Sequence, residues 1–228
     1  MNKIILEGNE LFKNCSFPYY VCGGFALELF LGKTMRSHSD LDISIFADNR
    51  KDAVELLLAN GWDVYQRGQF QKQIFNKEDP LVQECRNIWA IKSGSHIIVK
   101  PIEGEENLYD YEILGSQTAF NFIEMVIDTK DGDNFLLGKT LGDEKNISRE
   151  MDKAILFKAG IPYMASEVVL FLKSHPSYLT HEFHKEKTPG DFAAIIPALP
   201  DESREWLVKA LEVAYPEGNY WISELKKK

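Results

Sequence analysis

The sequence predicts an α+β fold: a mixed β-sheet flanked by helices over residues 1–147, then a mainly helical C-terminal lobe over residues 148–228. Three observations lead there. Asp40-Leu41-Asp42-Ile43-Ser44-Ile45-Phe46 alternates polar and apolar side chains with the period of a strand. Ala119–Asp128 reads as a second, longer strand, followed by the turn signal Asp131-Gly132. From about Ser148 the spacing of apolar residues becomes helical.

Composition bounds the alternatives. The chain has 228 residues, 44% hydrophobic and 27% charged, enough for one or two domains with a real core. That excludes a disordered chain or a disulfide scaffold. No apolar run reaches the ~18 residues of a membrane span, and Met1–Glu7 is too short for a signal-peptide core, which predicts a cytoplasmic protein. The net charge of −9 disfavours a nucleic-acid partner, whose phosphates call for a basic surface. Cys15, Cys22 and Cys85 have no metal-ligand spacing and read as free thiols.

Along the chain, residues 2–14 read as a short helix. Pro18–Cys22 reads as a strand stopped by Gly23-Gly24, and Phe25–Leu31 as a buried helix closed by Gly32. Asp48 is placed to cap a helix over 50–60, closed by Gly61. Trp62–Tyr65, Asn87–Ile91 and His96–Lys100 read as strands. Glu167–Lys173 reads as a helix. Thr188-Pro189-Gly190-Asp191 reads as a helix start, with Thr188 as cap and Asp191 reciprocating, and Pro200-Asp201 opens a last long helix.

The chemistry is concentrated between residues 23 and 42. Gly23-Gly24 lets backbone approach a ligand, and the N–H groups opening the next helix can hold a phosphate. Asp40 and Asp42, two apart on a strand, share one face and can share a divalent cation. Either feature alone is commonly a plain turn or a solvated strand face. Joined in this order, with Arg36 and His38 just before the first Asp, they point to a nucleotide–metal site.

The run Val21-Cys22-Gly23-Gly24-Phe25-Ala26-Leu27-Glu28-Leu29-Phe30-Leu31-Gly32, continuing through Arg36-Ser37-His38-Ser39-Asp40-Leu41-Asp42-Ile43, resembles the signature of the aminoglycoside 2″-adenylyltransferase-like nucleotidyltransferases, of the DNA polymerase β superfamily. Asn87-Ile88-Trp89, Gly160-Ile161-Pro162-Tyr163 and Asp191–Pro197 are similar to later segments of that family. Fifteen residues separate Gly24 from Asp40, more than the usual superfamily spacing.

The resemblance implies a nucleotidyltransferase-type sheet and a third carboxylate on a later strand. Glu124, an acid inside the apolar run Phe122–Val126, is the candidate. Asp128, near the strand end, reads as a turn acid. The implied catalytic set is Asp40, Asp42 and Glu124, with the same three holding Mg²⁺ (two ions with the triphosphate bound) and Gly23, Gly24, Arg36 and His38 on the nucleotide. Arg36 would neutralise triphosphate charge or else sit in an exposed loop. His38 would lie near the phosphate or merely bond backbone. Lys173, Lys185 and Lys187 would add charge, or stay solvated.

The expected reaction moves a nucleoside monophosphate, AMP from ATP, to a hydroxyl of a small molecule and releases pyrophosphate. An aminoglycoside is the leading acceptor, and antibiotic resistance the implied role. Glu103, Glu105, Glu106, Asp110 and Glu112 would wall a cationic acceptor or form a solvated loop. The alternatives are another acceptor (a lincosamide, a protein or an RNA end) or a non-catalytic nucleotide-binding module. Tyr163 is assigned to the core, and Lys226–Lys228 to a frayed tail.

Overall fold

The computed structural model describes residues 1–38, 40–66, 73–74, 76, 79, 87–101, 109–115, 118–137, 147–176, 178 and 186–227. Two compact units divide the chain: Met1–Tyr19 with Ser37–Asp128, and Tyr20–Arg36 with Thr129–Lys228.

The first unit holds a mixed sheet. Its strands are β2 (Leu41–Phe46), β3 (Trp62–Gln66), β4 (Gln73–Ile74), β5 (Asn87–Lys92) and the first seven residues of β8 (Phe122–Asp131). The order is β2-β8-β5-β3-β4, with β2 and β8 parallel and every other pair antiparallel. Leu41, Ile43, Ile45, Ile123, Met125, Ile88, Ala90 and Val64 are all buried. Residues paired across neighbouring strands share a face, so these form one apolar layer. A hairpin of β6 (His96–Pro101) and β7 (Tyr109–Leu114) makes a separate two-stranded sheet.

Helices flank the sheet for legible reasons. Helix α1 (Lys3–Phe12) is capped by Asn2, whose side chain accepts from the Ile4 N–H at 2.9 Å, and it buries Ile5, Gly8 and Phe12. Gly8 lies against β2, where an added Cβ would overlap Leu41 Cδ2. Gly8→Ala is therefore expected to cost about 1–3 kcal/mol by overpacking, read as a lower urea midpoint at unchanged slope. Tyr19 donates to Asn9 Oδ1 at 2.7 Å, and burial, aided by the Cys15 charge, pushes its phenol up to about 12. Helix α3 (Arg50–Ala59) follows a 3₁₀ turn at Ala47–Asn49 and packs on β3. Asp48 lies inside that turn and does not cap α3; Asn49 occupies the cap position without a side-chain bond.

In the second unit, α2 spans Gly23–Leu31 and ends at Gly32 with φ 73°, as the sequence predicts. Its start differs: Gly23 and Gly24 are the first helical residues, not a turn before the helix. Beyond Asp128, β8 turns through Gly132-Asp133 into β9 (Asn134–Leu136), which pairs with β10 (Ser148–Glu150). Then come the one-turn α4 (Met151–Ala154), β11 (Ile155–Lys158) and β12 (Ile161–Met164). β12 pairs antiparallel with β11 and parallel with Val21 of β1 (Tyr19–Val21). Apart from the single turn of α4, helical character thus begins at Ser166 rather than Ser148. β-branched and aromatic residues at 155–163 favour extended chain, and Gly160 at φ 79° closes a hairpin.

The remaining helices are α5 (Ser166–Lys173), α6 (Lys187–Ile195), α7 (Asp201–Ala214) and α8 (Tyr220–Lys226). The proposed cap at Thr188 is not made: α6 begins one residue earlier, and the Thr188 hydroxyl is buried inside it without a hydrogen bond. Asp191 turns to two cations instead, Arg36 and Lys173. Nor is the lysine tail frayed through Lys227. Lys226 ends α8 and pairs with Glu212 at 2.7 Å, and Lys227 pairs with Glu224. Tyr163 is buried in β12, as expected of a core residue. Among the described residues no helix is long and apolar enough to cross a membrane.

Candidate metal centre

The parallel pairing of β2 with β8 builds the site. Asp42 registers directly with Glu124, and Ser44 with Val126. Period two along each strand then puts Asp42 and Ser44 on the same face as Glu124 and Asp128. Asp40 directly precedes β2 and joins them. One carboxylate oxygen from each of Asp40, Asp42 and Glu124 lies within 4.8 Å of the others, and all three residues are partly buried. Three like charges so close repel one another, and a divalent cation among them removes that repulsion.

The donor set discriminates among ions. It is all carboxylate, with no His or Cys, which suits a hard cation such as Mg²⁺ that keeps waters and substrate phosphates as further ligands. The residues therefore fit the metal that the resemblance implies.

Two neighbours support the carboxylates. Asn87, at the start of β5, registers with Val126, one step diagonal from Glu124. Its Nδ2 donates to Glu124 Oε1 at 2.6 Å. Deeper on the same face, the Ser44 hydroxyl donates to Asp128 Oδ2 at 2.6 Å, with both residues buried. Asp128 is therefore no turn acid. The strand runs three residues further than the sequence suggested, which carries Asp128 into the interior, where the serine hydroxyl offsets part of its desolvation. Trp89, registered with Glu124, packs edge-on against Phe122 at 5.8 Å between ring centroids and closes the apolar end of this face.

The other site residues of the sequence reading fall as follows. His38 is partly buried, two residues before Asp40 in the same unit. Gly23, Gly24 and Arg36 belong to the second unit. There Glu28 Oε1 accepts from the backbone N–H groups of Met35 and Arg36 at 2.8 and 3.3 Å, holding the loop after α2. The Arg36 side chain bonds Asp191 through Nε at 3.4 Å, so it is not simply a solvated loop residue. Lys173 reaches the second oxygen of Asp191 at 3.1 Å. Lys187 is partly buried in the first turn of α6. Lys185, Cys85, Glu103, Glu105 and Glu106 lie outside the described residues. Asp110 and Glu112 are on β7, where Glu112 is exposed. The Cys15 thiol is raised by burial and donates to Phe17 O at 2.9 Å, which suits an inert thiol.

Sequence comparison identifies the segment that carries most of these residues. Residues 5–86 match the profile described as aminoglycoside-2″-adenylyltransferase. The matched segment includes Gly23, Gly24, Arg36, His38, Asp40 and Asp42, while Glu124 lies outside it and meets Asp42 through the strand register.

Solved structures extend the likeness to the rest of the chain. ANT(2″)-Ia in complex with adenylyl-2″-tobramycin gives a TM-score of 0.51 at 10% identity, covering 90% of this chain and 92% of that one. Lincosamide antibiotic adenylyltransferase LnuA with lincomycin bound gives 0.50 at 12% identity, covering 84% and 96%. At these identities the likeness shows the fold: a mixed sheet flanked by helices, of the nucleotidyltransferase kind, as the sequence predicts. No curated protein matches in sequence. The profile match thus covers the first part of the chain, and the structural likeness, which shows the fold, covers most of it.

Proposed function

We propose that this protein is a nucleotidyltransferase that moves AMP from ATP to a hydroxyl of a small cationic antibiotic of the aminoglycoside type and releases pyrophosphate. The observation that carries the reading is the meeting of Asp40, Asp42 and Glu124 within 4.8 Å on adjoining parallel strands. Asp40, Asp42 and Glu124 would hold Mg²⁺, which would supply charge neutralisation for the triphosphate. Glu124 takes the proton of the acceptor hydroxyl as the new oxygen–phosphorus bond forms and the bond to the pyrophosphate oxygen breaks. For the nucleotide we keep the assignment that the family resemblance implies, Gly23, Gly24, Arg36 and His38, with the N–H groups that open α2 suited to a phosphate. We take residues 148–228 as the lobe that completes the enzyme. Such chemistry rests on positioning and charge, so the thiols have no part in it.

The similar structures name two acceptors, tobramycin and lincomycin. The family segment favours the aminoglycoside, and so does the net charge of −9, since acidic surfaces draw polyamines. The likeness to LnuA keeps the lincosamide as the second reading. The test is incubation with each of the four α-labelled triphosphates, Mg²⁺ and a panel of both antibiotic classes, followed by mass spectrometry. An adenylylated aminoglycoside is expected. A nucleotide adduct on lincosamides alone would transfer the proposal to that class, and no adduct on any member would remove the antibiotic reading.

A further inference from the structure

A short hydrogen bond at the carboxylate cluster comes from a residue that is not itself a ligand. Asn87 Nδ2 donates to Glu124 Oε1 at 2.6 Å, from the neighbouring strand. An amide can donate to a carboxylate without adding charge, so it fixes the carboxylate and compensates part of its negative charge at once. The Glu side chain has three rotatable torsions and two like charges beside it, and this bond restrains it.

We propose that Asn87 is a positioning residue for the metal centre: its amide locks the Glu124 carboxylate toward Asp40 and Asp42, preorganising the site for a divalent cation. The inference rests on the metal role proposed above for the three acids.

Its place in the fold supports it. Asn87 opens β5 and is half-buried, although asparagine is disfavoured in strands. The residues that follow in β5, Ile88, Trp89, Ala90 and Ile91, are all buried and apolar. A polar amide at this one position, aimed diagonally across to the acid on β8, is explained by the carboxylate it meets. Hydrogen-bond partners behind metal ligands typically change metal affinity 10–100-fold when removed.

The test uses the full-length protein without nucleotide. Mn²⁺, a paramagnetic stand-in for Mg²⁺, is titrated into wild type, Asn87→Val and Asn87→Gln, and free Mn²⁺ is read by electron paramagnetic resonance. Valine suits a strand and removes the donor; glutamine keeps an amide. Asn87→Val is expected to weaken Mn²⁺ binding roughly 10-fold or more, with Asn87→Gln between it and wild type. The Mg²⁺ concentration for half-maximal turnover should rise in the same order, while KM for the triphosphate at saturating Mg²⁺ stays within about twofold. A thermal midpoint for each apo variant, followed by tryptophan fluorescence, shows that the fold is retained. Equal Mn²⁺ affinity in wild type and Asn87→Val overturns the positioning role, as does an Asn87→Gln that binds no better than a folded Asn87→Val. If Asn87→Val does not fold, Asn87→Gln alone decides, and affinity more than about 100-fold below wild type counts against the proposal. Absence of Mn²⁺ binding in wild type defeats the metal reading itself, a different result from either.

Discussion

Asp42→Asn is expected to leave a folded protein with turnover reduced about 10³-fold. A neutral amide is a poor Mg²⁺ ligand, and loss of metal-borne charge stabilisation costs several kcal/mol at the transition state; about 4 kcal/mol corresponds to roughly 10³ in rate. The same geometry predicts an effect of opposite sign on stability. Asp40, Asp42 and Glu124 place three carboxylates within 4.8 Å, so removing one charge relieves repulsion in the metal-free protein. The apo variant should melt at the wild-type temperature or above it. Adding Mg²⁺ should raise the wild-type midpoint, since a ligand that binds only the folded state stabilises it, and should leave the variant unmoved. Pyrophosphate release at the wild-type rate, or an equal Mg²⁺ shift in both proteins, would contradict the metal assignment.

The largest effect on stability is expected in the second unit, at Arg149→Ala. Arg149 on β10 pairs with Glu167 on α5 at 2.8 Å, and both side chains are more than nine-tenths buried. Ser203 also donates to Glu167 Oε1, at 2.9 Å. The guanidinium lies 5.1 Å from the centroid of the Trp206 ring, and Trp206 Nε1 bonds back to Ser148 O. Truncating Arg149 leaves the Glu167 carboxylate in the interior with, among the described residues, the Ser203 hydroxyl to solvate it. Breaking a buried pair in this way costs about 3–5 kcal/mol. Urea unfolding should show it as a large fall in midpoint. The double change Arg149→Met with Glu167→Leu should recover most of the loss, because it removes the stranded charge as well as the pair. A double variant as unstable as Arg149→Ala would mean that packing, not charge, governs the site.

The parts of this molecule legible in its sequence were those set by local pattern. Alternation placed β2, the glycine at position 32 ended α2, and two aspartates two apart shared a face because strands have that period. Glu124 stood out because an acid inside an apolar strand needs a partner. What escaped was long-range. Asn87 was visible as a residue in a family-like stretch, but its role depends on the register of β5 against β8, which no local spacing encodes. Asp128 was misread for the same reason: its burial follows from Ser44, on a strand 84 positions earlier. Asp191 sat where a helix-capping acid belongs, and the competing attraction of Arg36 and Lys173 took it instead. The strands at 148–164 were overlooked because short apolar runs fit either period, and hairpin pairing decided between them.

The β2–β8 pairing also bears on how the protein comes into being. These are parallel neighbours drawn from distant parts of the chain, so their union needs a long loop to close before any contact repays the entropy. The acids can then gather only late, after most of the polypeptide has been synthesised and collapsed. A growing chain on the ribosome that has not yet released residue 128 has no cluster with which to capture a cation. Capture of the proposed ion should therefore slow unfolding far more than it speeds folding, guarding the finished protein without guiding its assembly.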